Sequence, residues 1–412
     1  MTREPAPAKI FARGRPAACC PFVLFNSVDD CTCHAGIVTE TTADENRKEM
    51  AHVLRMQDGE ELFMDEKKYV AYIGTYTHGS SIGIHIYDID TKNRTLTERN
   101  VVPVHNSSYV TKSRSGKFLY SIADEGVEVL KIEPDGGLTP INKVNIDGMR
   151  GCYLSTDVSG KFLFVGGYHD GKVTVVHTHK DGRLGSVMDG VFHQGIGSVA
   201  ERNFRPHVSC VIPTPDDKYL CAVDNGVDQV KIYKVTPYTG KLQLYSILRL
   251  PLESAPRLMV FSKDGRYAYI NCEITNKIIA YRYDGSGKEP KFEKIQEVQS
   301  MYDDRDVSSA SCALKVSPSG QYLYCSSAGE NSVGIFRIDP ETGLLSKILI
   351  LPISGGYPKD IDVLPDEKTM IVLCHESGYM RFFTVDYEKG TLVMKGKQQY
   401  VETPNCILIS EV

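Results

Sequence analysis

Gly116-Lys117-Phe118-Leu119-Tyr120, Gly160-Lys161-Phe162-Leu163-Phe164, Gly265-Arg266-Tyr267-Ala268-Tyr269 and Gly320-Gln321-Tyr322-Leu323-Tyr324 are four copies of one phrase. Weaker copies stand at Lys68-Tyr69-Val70-Ala71-Tyr72, Asp217-Lys218-Tyr219-Leu220-Cys221 and Glu367-Lys368-Thr369-Met370-Ile371, which makes seven. Successive copies lie roughly 45 to 57 residues apart, at or just beyond the period of a four-stranded propeller blade. A second β-type run follows each in phase: Ile84–Tyr87, Val127–Leu130, Val173–Val176, Val230–Tyr233, Ile278–Tyr281, Val333–Phe336 and Met380–Phe383. Most of these end in a turn such as Pro134-Asp135-Gly136 or Pro340-Glu341-Thr342-Gly343. Two markers in register predict an all-β fold, a seven-bladed β-propeller of four-stranded antiparallel blades.

The ends of the array predict how the ring closes. Each complete copy is preceded by a short innermost strand, but none stands upstream of Lys68. Thr403 to Ser410 reads as that strand carried at the far end of the chain. The first blade is then stitched from N- and C-terminal strands, and a closed ring leaves few edges open to stray pairing. The propeller is expected over residues 67–412.

Residues 1–63 fall outside the repeat and read as a disordered or over-extended leader, with Met50, Met56 or Met64 as alternative starts. Cys19, Cys20, Cys31, Cys33 and His34 match no standard zinc spacing, and the apolar run Pro21–Phe25 is too short for a signal h-region. The ring's cysteines are scattered through strands, where reduced thiols pack as small hydrophobes, and the cytoplasm is the expected compartment. There is no tryptophan, which excludes the Trp-Asp propeller signature and the Trp of the sialidase-type Asp box. A formal net charge of −5, without a Lys/Arg cluster, speaks against nucleic acid as a partner. No apolar run reaches membrane-span length, so no membrane partner is expected either. A monomer needing no metal and no cofactor is expected.

In a propeller the first residues of the innermost strands ring one mouth of the channel. Here they are Arg150-Gly151-Cys152, Arg205-Pro206-His207, Ala255-Pro256-Arg257, Ser311-Cys312, Tyr357-Pro358-Lys359 and Pro404-Asn405. Proline at a strand start is an architectural choice, but the basic residues that follow it call for a ligand or a partner. The hairpin after Arg257 turns at Lys263-Asp264-Gly265, so Glu273 returns to about the height of Arg257. That pair reads either as an ion pair tying two strands or as part of a site. His207, Arg257, Glu273 and Lys359 converging on one axial cleft favour an anion-binding site.

The chain resembles the lactonase family of seven-bladed propellers, which includes bacterial 6-phosphogluconolactonases and fungal carboxy-muconate cyclases. The resemblance rests on Tyr72-Ile73-Gly74-Thr75-Tyr76-Thr77, on Arg205-Pro206-His207, and on Pro256-Arg257 with Glu273 sixteen residues on. It implies a catalytic set of His207, Arg257 and Glu273. The departures are Leu258 and Ser209 where the family has His, and Ala313 within its Ala-Glu-Ile. Ala328 replaces the Arg of its Asn-Arg-Gly, and Lys359 the Arg of a Pro-Arg. Hydrolysis of a small anionic sugar lactone needs a base for water and positive charge for the oxyanion. His207 suits the first and Arg257 the second, with Glu273 orienting Arg257 or sharing the base role. Lys359, Arg205 and Arg150 are candidates for a phosphate. The implied substrate is 6-phosphogluconolactone, an intermediate of the pentose phosphate pathway. The alternatives are a muconate-type lactonising cyclase or a propeller that binds without catalysing.

Overall fold

The computed structural model describes residues 67–198, 204–302 and 309–412; the leader of residues 1–63 lies outside them. Residues 67–412 are one compact unit. Its strands form seven four-stranded antiparallel sheets. Every copy of the repeated phrase lies in the second strand of a sheet, and every copy of the second marker in the third.

The strand at Pro404–Glu411 pairs with Tyr69–Thr75, from Tyr69 opposite Glu411 to Thr75 opposite Pro404. The first blade is therefore closed by the C-terminal strand, as the missing innermost strand required. The second strands are apolar on both faces because each is sandwiched between neighbouring blades. Tyr219–Asp224 and Tyr267–Cys272 are buried at every position. The outer strands, such as Thr391–Tyr400, are largely exposed. Apolar clusters straddle blade boundaries. Ala71, Ile73 and Ile407 of the first blade pack with Leu373 and Phe382 of the last. Each Leu or Ile buried in this way contributes on the order of 1.5–3 kcal/mol.

The repeated phrase and the turn that follows the second marker meet across blades. The aromatic of the repeated phrase in one blade covers the outer turn of the next. Tyr72 Oη donates to the Gly136 carbonyl (2.9 Å) and Tyr269 Oη to the Gly343 carbonyl (3.0 Å). Gly343 adopts φ 73° directly against the Tyr267 ring, where a Cβ would overlap the aromatic carbons.

Candidate active site at the channel mouth

The innermost strands carry a shared irregularity that builds the site. In five blades the register between the innermost and second strands slips near the strand's start. The slips fall between Val208 and Cys210, Pro256 and Leu258, Ser311 and Leu314, Pro358 and Asp360, and opposite Gly74 and Thr75. The residues left over are Ser209, Arg257, Cys312 with Ala313, Lys359 and Asn405. A β-bulge re-aims its extra side chain, and all of these line one axial cavity of about 670 Å³. This volume suits a small-molecule ligand.

The loops after the second strands add Tyr76, Tyr168, His169, Glu273, Gly329 and Glu376 to the wall. Arg257 Nη1 donates to Glu273 Oε2 at 2.6 Å, and Asn225 Nδ2 donates to the same oxygen at 3.2 Å. Burial opposes the Arg257 charge, but Glu273, with Cys312 and Tyr357 adding to it, offsets that and holds the guanidinium pKa above its ordinary value. Ser209 Oγ donates to the Arg257 carbonyl (2.7 Å) and fixes that strand. Lys359 Nζ donates to Tyr357 Oη at 3.0 Å. Burial, and then the Arg257 charge, lower the Lys359 pKa. Cys152 also lines the cavity, but burial pushes its thiol up to about 11, so it is no thiolate nucleophile at neutral pH.

Of the residues expected from sequence, Arg257, Glu273 and Lys359 stand together on the cavity wall, and His207, Arg150 and Arg205 do not. His207 precedes its strand and is 5% exposed. Its ring stacks behind Tyr168 at 4.4 Å, and its Nδ1 meets the Tyr168 carbonyl at 2.6 Å. Arg150 sits over the Tyr76 ring (5.1 Å) and pairs with Asp124 at 3.4 Å. The Arg205 guanidinium lies over Phe204. The imidazole on the wall is that of His169, edge-on to Tyr168. Burial, then the charges of Arg150 and His207, lower its pKa, which keeps it neutral near pH 7.

His169, Tyr168, Tyr76 and Glu376 escape a reading confined to innermost strands. The hairpin count that places Glu273 beside Arg257 reaches Tyr168 from Cys152 but stops one residue short of His169 and, from Lys359, of Glu376. It cannot reach Tyr76, whose strand pairs with the C-terminal strand and not through a hairpin. Among the described residues, no three His, Cys, Asp or Glu side chains converge as a metal centre requires, and no helix is long and apolar enough to cross a membrane.

Comparison with known proteins gives a consistent picture. Residues 70–409 match the family model described as "Lactonase, 7-bladed beta-propeller". A 6-phosphogluconolactonase of Bacillus subtilis is 31% identical over 346 residues, spanning 82% of this chain and 98% of that protein. One from Formosa agariphila is 27% identical, over 78% and 94% of the two chains. The periplasmic gluconolactonase PpgL of Pseudomonas aeruginosa superposes with a TM-score of 0.78 at 26% identity, covering 83% of this chain and 99% of that one.

Proposed function

The chain belongs to the lactonase family of seven-bladed β-propellers, and from that premise we propose that it hydrolyses 6-phosphogluconolactone at the channel mouth. Family membership supports a lactonase, hence a hydrolase. The observation that carries the site is one cavity whose wall presents the Arg257–Glu273 pair and a neutral imidazole together.

Water must lose a proton as it attacks the lactone carbonyl carbon, and the carbonyl oxygen gains negative charge. Arg257, held by Glu273, faces that charge. The proton goes to His169. The blade-four bulge that faces the cavity carries Ser209, and His207 lies behind Tyr168, so His207 acts as a positioning residue through Tyr168. This moves the base role from the histidine expected by sequence to its neighbour on the wall. The sugar ring's C–H faces lie against Tyr76 and Tyr168, and a terminal phosphate extends toward Arg150 and Arg205, whose charges reach His169. Eight unpaired thiols in the ring fit a reducing compartment. The reaction then belongs to the pentose phosphate pathway in the cytoplasm, with a monomer as the working unit.

The test is hydrolysis of freshly generated 6-phosphogluconolactone with the spontaneous rate subtracted. His169→Ala is expected to lose at least about 100-fold in kcat, the scale of a general base, and His207→Ala less. A His169→Ala enzyme at wild-type rate would return the base role to His207. The likeness to PpgL makes unphosphorylated gluconolactone the second substrate to assay. Equal kcat/KM for the two lactones, unchanged in Arg150→Ala with Arg205→Ala, would remove the phosphate from the reading. No acceleration with either lactone would leave a binding propeller.

A further inference from the structure

Opening a lactone requires more than attack on its carbonyl. The ring oxygen leaves as an alkoxide and needs a proton, either from the imidazolium formed during attack or from a separate acid on the cavity wall. Resting on the hydrolytic reading, we propose that Tyr357 and Lys359 are the acid half of the site: the Tyr357 hydroxyl protonates the departing ring oxygen, and the Lys359 ammonium returns a proton to Tyr357.

Both groups are placed by unusual local structure. Tyr357 precedes Pro358 and has φ 58°, a conformation that a bulky aromatic rarely adopts. Ala255 and Thr403 hold the equivalent pre-proline place in other blades at φ 49° and 48°, so the bend is architectural and the large side chain on it is the exception. It is held on both sides. The Tyr357 N–H donates to Asn331 Oδ1 (2.8 Å), and its carbonyl accepts from the His375 N–H (2.8 Å). Strain of this kind clusters at functional sites. Lys359, two residues on, is the bulged residue that turns into the cavity.

The pair's surroundings fit proton donation. Lys359 Nζ lies 3.0 Å from Tyr357 Oη, and Lys359 forms no ion pair with a carboxylate among the described residues. With its oxygen accepting from the amine, the phenol's own proton points away from Lys359, on the side where the Cys312 sulfur is its protein neighbour. Burial pushes the Tyr357 pKa up to about 12, so the hydroxyl stays protonated and is a donor at neutral pH. The groups whose charges reach Lys359 from the packed elements are Arg257, Cys312, Tyr76 and Glu273, with His375 beyond Tyr357. Burial and then Arg257 lower its pKa against the opposing effects of Cys312, Tyr76 and Glu273, so the ammonium gives up its proton more readily than a free lysine does.

The step balances. A water oxygen bonds to the carbonyl carbon and the base takes one water proton. The tetrahedral oxyanion collapses, the bond from carbon to ring oxygen breaks, and that oxygen takes the Tyr357 proton. Lys359 reprotonates the phenolate, and solvent recharges Lys359 and relieves the base. Nothing beyond water is consumed.

The experiment compares two leaving groups in wild type and Tyr357→Phe: glucono-δ-lactone or its 6-phosphate, which release an alkoxide, and dihydrocoumarin, which releases a phenolate of pKa about 10. A phenolate leaves without help. Tyr357→Phe is expected to lose about 100-fold in kcat on the sugar lactone, with KM within about threefold, and to keep dihydrocoumarin hydrolysis within about threefold. Lys359→Arg, whose guanidinium holds its proton too tightly to pass it on, is expected to lose at least about 10-fold in kcat on the sugar lactone and to keep dihydrocoumarin hydrolysis within about threefold. Equal losses on both lactones would mean a structural role for Tyr357, and no loss on the sugar lactone no role in the reaction; either overturns the proposal. A sugar-lactone kcat unchanged in Lys359→Arg overturns the relay. A wild type inactive on both lactones overturns the hydrolytic reading and this one with it, an outcome distinct from an active wild type indifferent to Tyr357.

Discussion

Arg257 and Glu273 show how far single residues are legible. An antiparallel hairpin mirrors its two strands about the turn, so counting from Lys263-Asp264-Gly265 brings the two to one height, and they meet at 2.6 Å. Arg257→Ala is expected to lower kcat by about 100- to 1000-fold, the scale of removing one oxyanion donor. Glu273→Gln is expected to lower the melting temperature as well, because it leaves a largely buried guanidinium without its counter-charge. Steady-state kinetics beside thermal unfolding separates the two effects, and an Arg257→Ala enzyme within threefold of wild type would remove Arg257 from the oxyanion role. His207 was harder to read. It falls one residue before its strand begins at Val208, where no alternation tells which way a side chain points. The positions where the chain departs from the family, Ser209, Leu258, Ala313 and Ala328, all lie on the cavity wall.

At the scale of the strand and its turns, the repeat is a set of mutual contacts between blades. The glycine of the phrase takes a left-handed conformation that closes the hairpin, as at Gly160 with φ 67°. In two weaker copies Asp217 and Glu367 occupy the same turn at φ 57° and 53°. Their carboxylates compensate by reaching a neighbouring blade: Val158 N–H donates to Asp217 Oδ1 (3.1 Å) and Ser319 Oγ to Glu367 Oε2 (2.8 Å). This is why those copies look degenerate in sequence while their structure is regular. Gly160→Ala meets nothing within 4 Å, so it is expected to cost only the left-handed strain, about 1–2 kcal/mol. Gly343→Ala carries the same strain and also drives a methyl group into the Tyr267 ring, so it is expected to destabilise clearly more. Chemical denaturation of the two variants checks the order; equal losses would mean that the aromatic yields to the methyl group.

At the scale of the whole ring, closure depends on a strand carried at the other end of the chain. Ile407 is 2% exposed and packs across the seam between the last blade and the first. Asp360 and Asp362 of the last blade accept from the Ile407 and Ile409 N–H groups at 2.9 and 3.0 Å. Removing residues 404–412 would bare the edge of Tyr69–Thr75, an open template for pairing with other chains. The truncated protein is expected to aggregate, while Ile407→Ala stays folded but loses about 2–5 kcal/mol. Sedimentation and thermal melting report the two outcomes, and a monodisperse truncated ring would show that closure is dispensable.

The sequence by itself determined the blade number, the strand order within a blade, the seam, and the residues at the channel mouth. Each of these follows from a periodicity that backbone hydrogen bonding imposes. Which mouth residues face the cavity was decided by the tertiary structure alone. A bulge at Ser209, Arg257, Cys312, Lys359 or Asn405 is a one-residue slip between two strands, set by how the blade curves around the axis, and it leaves no period in the chain. The same packing put Tyr168 between His207 and the cavity, a contact that depends on where loops from neighbouring blades meet, and the bulge at Lys359 turned its amine back to Tyr357 two residues before it.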